Sequence, residues 1–182
     1  AGTFWGVDGW RRMPRGERRF HAWTPRGTPA LSIRSRRSGK CMESYVTSRP
    51  DTWRCFVGRY IIDPCFGGGK GWNVMVCARS PWHRSGILIR GRGFETFGAQ
   101  IKRAWAIKTS EGHRCTWLSG ASNFRDGRRL NYGCWPRSNA SPTGGDGYLW
   151  GTPKRRNGRL MIPYSTDYNT PWRWVRVVER WN

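Results

Sequence analysis

The side chains able to carry chemistry are few, and their spacing suits few reactions. His21, His83 and His113 are the only imidazoles among 182 residues. None stands in HxH or HxxxH spacing, so a zinc site would need all three or borrowed carboxylates, and surface or hydrogen-bonding roles are expected. Eleven Asp and Glu face 33 Lys and Arg. A glycosidase needs two paired carboxylates. Asp51, after Pro50, and Asp63, before Pro64, read instead as turn formers or arginine partners. A nuclease would need a general base and acid over a phosphate. Glu111 and His113, beside Arg114, are the one constellation that could supply them, weakened by Glu111's place in a turn. No GxSxG occurs, and GGGK at 67–70 lacks both the first glycine and the Ser or Thr of a phosphate loop, which leaves a flexible loop. Asn139-Ala140-Ser141 is a nominal glycosylation sequon. The expectation is a protein with no catalytic residue, no metal and no cofactor.

Arginine interleaved with aromatic residues is the stronger pattern. Of the 33 bases 28 are Arg, the formal net charge is +22, and 13 residues are Trp. GC-rich coding alone would raise Ala as well, yet only 9 Ala accompany 24 Gly. The guanidinium fork grips phosphate, sulfate or carboxylate bidentately, and a neighbouring Trp can stack on bases or sugar faces. Polyanion contacts are expected from Arg11, Arg12, Arg18, Arg19, Arg34, Arg36, Arg37, Arg155, Arg156 and Arg173, with stacking by Trp10, Trp23, Trp82, Trp172 and Trp174. The competing reading is that Trp–Arg pairs stack internally in a core short of aliphatics. Because the bases are spread along the chain, they describe a broad positive surface rather than one groove with a code.

These residues must be held by an unusual core. Leu, Ile, Val and Phe number only 29, below the ~20% that usually separates folded from disordered chains. Aromatics at 14% and six cysteines oppose disorder, since each buried ring removes much surface from water and each bridge restricts the unfolded chain. Cys41, Cys55, Cys65, Cys77, Cys115 and Cys134 contain no CxxC pair, so bridges are expected rather than a redox pair or a zinc ribbon. Fifteen connectivities exist in principle. The expected one joins sequence neighbours: 41–55, 65–77 and 115–134, the last bracketing a hairpin.

Residues 1–30 show no period and read as a basic, Trp/Arg-rich extended arm. From 31 to 182 short apolar pieces alternate with turns, with candidate strands at 31–36, 53–62, 72–78, 86–90, 103–109, 114–118, 128–134, 148–152, 159–164 and 172–181. Asn157-Gly158 and Asp126-Gly127 are type I′ hairpin signals, and Glu111-Gly112 marks a longer loop. Phe94–Arg103 is the one candidate for a short helix. The expected fold is all-β, a disulfide-stapled sandwich or barrel of about 8–10 short strands behind an irregular N-terminal arm.

The segment SRPDTWRCFVGRYIIDPCF (48–66), a strand ending in Cys77, HRCTWLSGASNFRDGRRLNYGC (113–134) and YLWGTP (148–153) resemble an uncharacterised family of bacterial extracytoplasmic domains. The likeness covers roughly residues 31–181, with Arg54-Cys55, Asp63-Pro64-Cys65-Phe66 and Tyr132-Gly133-Cys134 as its specific points. It implies a secreted or lipid-anchored, disulfide-bonded β-rich domain and no activity. The start at Ala1 without Met fits a matured secretory product. No apolar run reaches the length of a membrane span. Together these readings predict a secreted, non-enzymatic protein whose partner is anionic: an acidic envelope glycan, extracellular nucleic acid or an acidic protein surface. The alternatives are a structural subunit of an extracellular assembly that uses the arm for contacts, and a basic secreted hydrolase such as a nuclease.

Overall fold

The structure, a computed structural model, describes residues 16–47, 49–69, 71–96, 104–119, 123–135 and 146–182. Among them there are fourteen strands and no helix. The fold is all-β and disulfide-stapled. The strands form two closed rings, and a third core lies where the rings meet.

The first ring runs through β2 (Ser32–Glu43), β3 (Thr52–Val57), β4 (Tyr60–Phe66), β5 (Val74–Ala78) and β6 (Ser85–Glu95), each antiparallel to the next. It closes through a long parallel pairing of β6 with β2. So small a barrel has room for little besides sulfur. Its interior holds Cys41, Cys55, Cys65, Cys77, Met75 and Ile89, all essentially buried. The disulfides Cys41–Cys55 and Cys65–Cys77 join residues directly opposite each other on adjacent strands. A side chain at Gly91 would bring its Cβ to 2.2 Å from Met75 Cε and 2.9 Å from Cys41 Sγ, so glycine is what admits the sulfur cluster.

The candidate helix at Phe94–Arg103 is not what begins there. Phe94 and Glu95 end β6, and Phe94 takes a left-handed φ of 47° where the register with β2 shifts. Its ring wedges between Trp53 (4.9 Å) and Trp72 (5.3 Å), so tertiary packing overrides the local pattern. The rest of that candidate, from 97 to 103, lies outside the described residues. The expected strand 53–62 is in fact two, β3 and β4, folded back at Gly58-Arg59.

The second ring passes antiparallel through β7 (Ala106–Thr109), β8 (Arg114–Trp117), β10 (Arg128–Trp135), β11 (Tyr148–Trp150), β13 (Arg159–Ser165) and β14 (Arg173–Trp181), which pairs with both β13 and β7. Residues from all six strands meet in one buried cluster that includes Ile107, Cys115, Tyr132, Leu149, Ile162 and Val175. Cys115–Cys134 again bridges directly opposite residues. All three expected pairings are therefore present. Short β9 (Phe124–Arg125) and β12 (Lys154–Arg156) hang on the ring as hairpins. Their turns carry the expected positive φ at Asp126, Gly127, Asn157 and Gly158.

The described part of the arm seals the two rings together. β1 (Glu17–Arg18) adds in parallel to the end of β14, and Glu17 pairs with Arg180. Phe20 then enters the junction, its ring centroid 4.9 Å from Phe66 and 5.4 Å from Trp105. Arg49 stacks on Phe66 and donates through Nη1 to the Phe20 carbonyl at 2.6 Å. Trp23 donates from Nε1 to the Phe66 carbonyl at 2.8 Å and lies under Gly69, where any side chain would strike its ring. The glycine run at 67–69 thus covers a tryptophan.

Candidate functional site

The rings do not meet along their whole length. Beside the junction core an open cleft of about 1090 Å³ remains. One wall is the first ring: the start of β2, the β3–β4 hairpin tip, the end of β5 and the start of β6. The other wall is the second ring, at the ends of β8 and β10.

Arginines dominate the first wall. Arg34 and Arg37 come from β2, Arg59 from the hairpin tip and Arg79 from the end of β5, all exposed. Gly58, at φ 58°, makes the turn that projects Arg59 and Tyr60 outward. Tyr60 is 62% exposed, and the Arg59 guanidinium lies 5.4 Å from its ring centroid. On the opposite wall Trp135 is fixed by donating from Nε1 to Thr116 Oγ1 at 2.7 Å, and Arg79 reaches across to stack 5.1 Å from its ring. Trp117 lines the same wall, edge-on to Tyr132 at 5.1 Å, with Arg129 against its ring.

Among the described lining residues the one carboxylate is Asp63, and it is engaged within the fold. Its side chain is fully buried, accepting from Ser44 Oγ at 2.5 Å and from the Tyr45 amide at 3.1 Å, with Arg54 Nε 3.3 Å away. Burial pushes its pKa up, against the lowering effect of Ser44, Tyr45 and Arg54. Arg54 in turn covers the Tyr45 ring at 4.5 Å. The reading of Asp63 as an arginine partner holds, as it does for Asp51, which takes a two-pronged contact from Arg49. Asp63 therefore contributes little to offset the four guanidiniums of the cleft.

A second basic–aromatic feature lies on the outer face of the second ring. Arg156 sits 4.2 Å and Arg128 5.3 Å from the Trp174 ring centroid, and Arg128 and Arg125 lie 5.5 and 5.9 Å from Trp172. Arg125 also donates to the Thr170 carbonyl at 2.6 Å. Here Trp172 and Trp174 are spent largely on the protein's own guanidiniums, as the internal-stacking reading anticipates. The β12–β13 hairpin still exposes Arg155 and Arg156.

The remaining expected residues are scattered. Trp23 and Trp82 belong to the junction, Trp82 edge-on to Trp181 at 6.3 Å. Arg18, Arg19 and Arg36 are exposed outside the cleft lining. Arg173 is committed to a two-pronged ion pair with Glu111. Trp10, Arg11 and Arg12, like the sequon at 139–141, lie outside the described residues. Of the expected polyanion contacts among the described residues, only Arg34 and Arg37 reach the cleft, while Arg59, Tyr60, Arg79, Trp117 and Trp135 are additions that the sequence pattern does not mark. The adjacent Arg59-Tyr60 in a glycine turn was the available signal, hidden because the run looked like one strand.

The acid–base pair considered for a nuclease is otherwise employed. Glu111 is held well below the ordinary glutamate range, chiefly by its hydrogen bonds to Arg173, which makes it a weak base. His113 contacts Glu111 Oε2 at 3.3 Å and stacks on Tyr164 at 4.3 Å. Arg114 lies over Trp82. No cluster of three or more potential metal ligands occurs among the described residues. Comparison with family models, with curated proteins and with solved structures gives no match.

Proposed function

We propose that this protein is a secreted, non-enzymatic binder of anionic polymers and that the inter-ring cleft is its binding site. One observation carries the reading: four arginines and three aromatic rings converge on a single concavity whose one carboxylate among the described lining residues is already neutralised by Arg54, Ser44 and Tyr45. Charge that is not balanced within a fold attracts a counter-charge from outside it, and a concave wall focuses the field. Three disulfides are consistent with an oxidising, extracytoplasmic compartment, where acidic glycans and released nucleic acids are the abundant polyanions. Within the described part of the arm, Glu17, Arg18, Phe20, Ala22 and Trp23 are engaged with their own chain.

Salt dependence is the test. Affinity for an anionic polymer should fall linearly on a log–log plot against salt, and Arg59→Ala and Arg79→Ala should each lower the slope by about 1. Both side chains are exposed, so the fold should survive. Arg36→Ala, exposed outside the cleft lining, should change the slope less. Indifference to anionic resins at low salt, or equal slopes for all three variants, would sink the proposal.

A further inference from the structure

The chemistry of the cleft is narrower than positive charge. Two of its rings come paired with cations that also line it: Arg59 with Tyr60 and Arg79 with Trp135. Each unit offers one flat apolar platform and one planar anion fork. A ligand that uses both must repeat an anion together with a flat face, a base or a sugar ring. Polyol phosphates repeat the anion with no flat face at all. A sugar ring also presents hydroxyl groups whose usual partners are carboxylates and side-chain amides, whereas among the described lining residues there is no Asn or Gln, Asp63 is already engaged, and the other polar side chains besides arginine include the hydroxyls of Ser35, Tyr60, Ser85, Thr116 and Ser119 and the His83 imidazole. The repeat of single-stranded nucleic acid is one phosphate and one base. In a duplex the bases are already stacked on each other and cannot reach the rings.

Geometry agrees. The cleft is open, and its volume of about 1090 Å³ lies at the upper end of the roughly 300–1,000 Å³ typical of a ligand pocket. Trp135 is held by its hydrogen bond to Thr116 before ligand arrives, and Tyr60 stands exposed at the rim. Arg59 and Arg79 are exposed and long, and can turn from ring to phosphate while a base takes the ring face.

Building on the proposed polyanion function, we infer that the cleft selects single-stranded nucleic acid, with Tyr60 and Trp135 stacking successive bases and Arg34, Arg37, Arg59 and Arg79 holding the phosphates. The decisive comparison is fluorescence anisotropy of the intact protein with four labelled probes at one salt concentration. These are a dT 12-mer, an abasic 12-mer with the same backbone, a 12-base-pair duplex and a sulfated heparin oligosaccharide of matched charge. The expected result is at least tenfold tighter binding of the dT 12-mer than of the abasic strand, reduced severalfold by Tyr60→Ala with little change for the abasic probe. Equal affinity for the dT and abasic strands, or preference for the duplex or the heparin oligosaccharide, would overturn the inference while leaving polyanion binding in place. Failure to bind any of the four would overturn both. Trp135→Phe, which keeps a ring but loses the bond to Thr116, supplies a second variant and should retain part of the preference; loss of affinity for all four probes alike would count against a stacking role.

Discussion

Two carboxylates show how differently an arginine can be used. Asp63 is buried, and its partner Arg54 is only 15% exposed, so the pair exists to complete the wall of a barrel. Glu111 and Arg173 meet at the surface, where solvent and salt leave such a pair little net stability, at most about 1 kcal/mol. The surface pair nevertheless has a clear titration signature. Glu111 has a depressed pKa because ionisation keeps the Arg173 hydrogen bonds, so its stabilising contribution is present above the unfolded glutamate pKa and is lost as pH falls through the depressed value. Arg173→Ala should return Glu111 upward toward the ordinary glutamate range, as carbon-detected NMR titration would show, with unfolding free energy at neutral pH changed by no more than about 1 kcal/mol. Asp63 has the opposite sign: its raised pKa makes its contribution greatest below the unfolded value and smaller as pH rises.

At the level of strands and turns, local chemistry was legible wherever one residue type had one job. Asn157-Gly158 and Asp126-Gly127 announced hairpins because few side chains tolerate positive φ. Asn157→Ala should therefore cost about 1 kcal/mol in denaturant unfolding, whereas Asn157→Gly should be close to neutral. The cysteine pairing was readable for a related reason, since neighbours in an antiparallel meander stand opposite each other. The failures share a cause as well. WRCFVGRYII reads as one strand because aromatic and β-branched residues continue across a turn marked by a single glycine. Missing that turn hid the hairpin tip, and with it Arg59 and Tyr60. Residues facing each other across the cleft, such as Arg79 and Trp135, are far apart in sequence and carry no local signal at all.

For the whole molecule, the junction matters as much as either ring. The arm was expected to be irregular, and sequence could not say that Phe20 would sit among Phe66 and Trp105 with almost no exposure. Removing this ring leaves a cavity between two bodies that are each closed on their own. Phe20→Ala should lower stability by about 3–5 kcal/mol. Because the cleft walls belong to different rings, the same variant should weaken polymer binding even with every cleft side chain present. Unfolding and binding measured on one preparation would check both. Unchanged binding in a folded Phe20→Ala protein would mean that the walls are held by other contacts.

The parallel seam between β2 and β6 is the one non-local pairing that closes the first ring. Hairpins β2–β3, β3–β4, β4–β5 and β5–β6 each join neighbours in the chain, but the seam unites the two ends of the meander and must close the longest loop. The cleft floor straddles that seam, with Arg34 and Arg37 on one side and Ser85 to Ile87 on the other. The stretch of β2 that carries Arg34 and Arg37 pairs with β6 and not with β3, so with the seam open these two guanidiniums lose their fixed place beside Arg59 and Arg79.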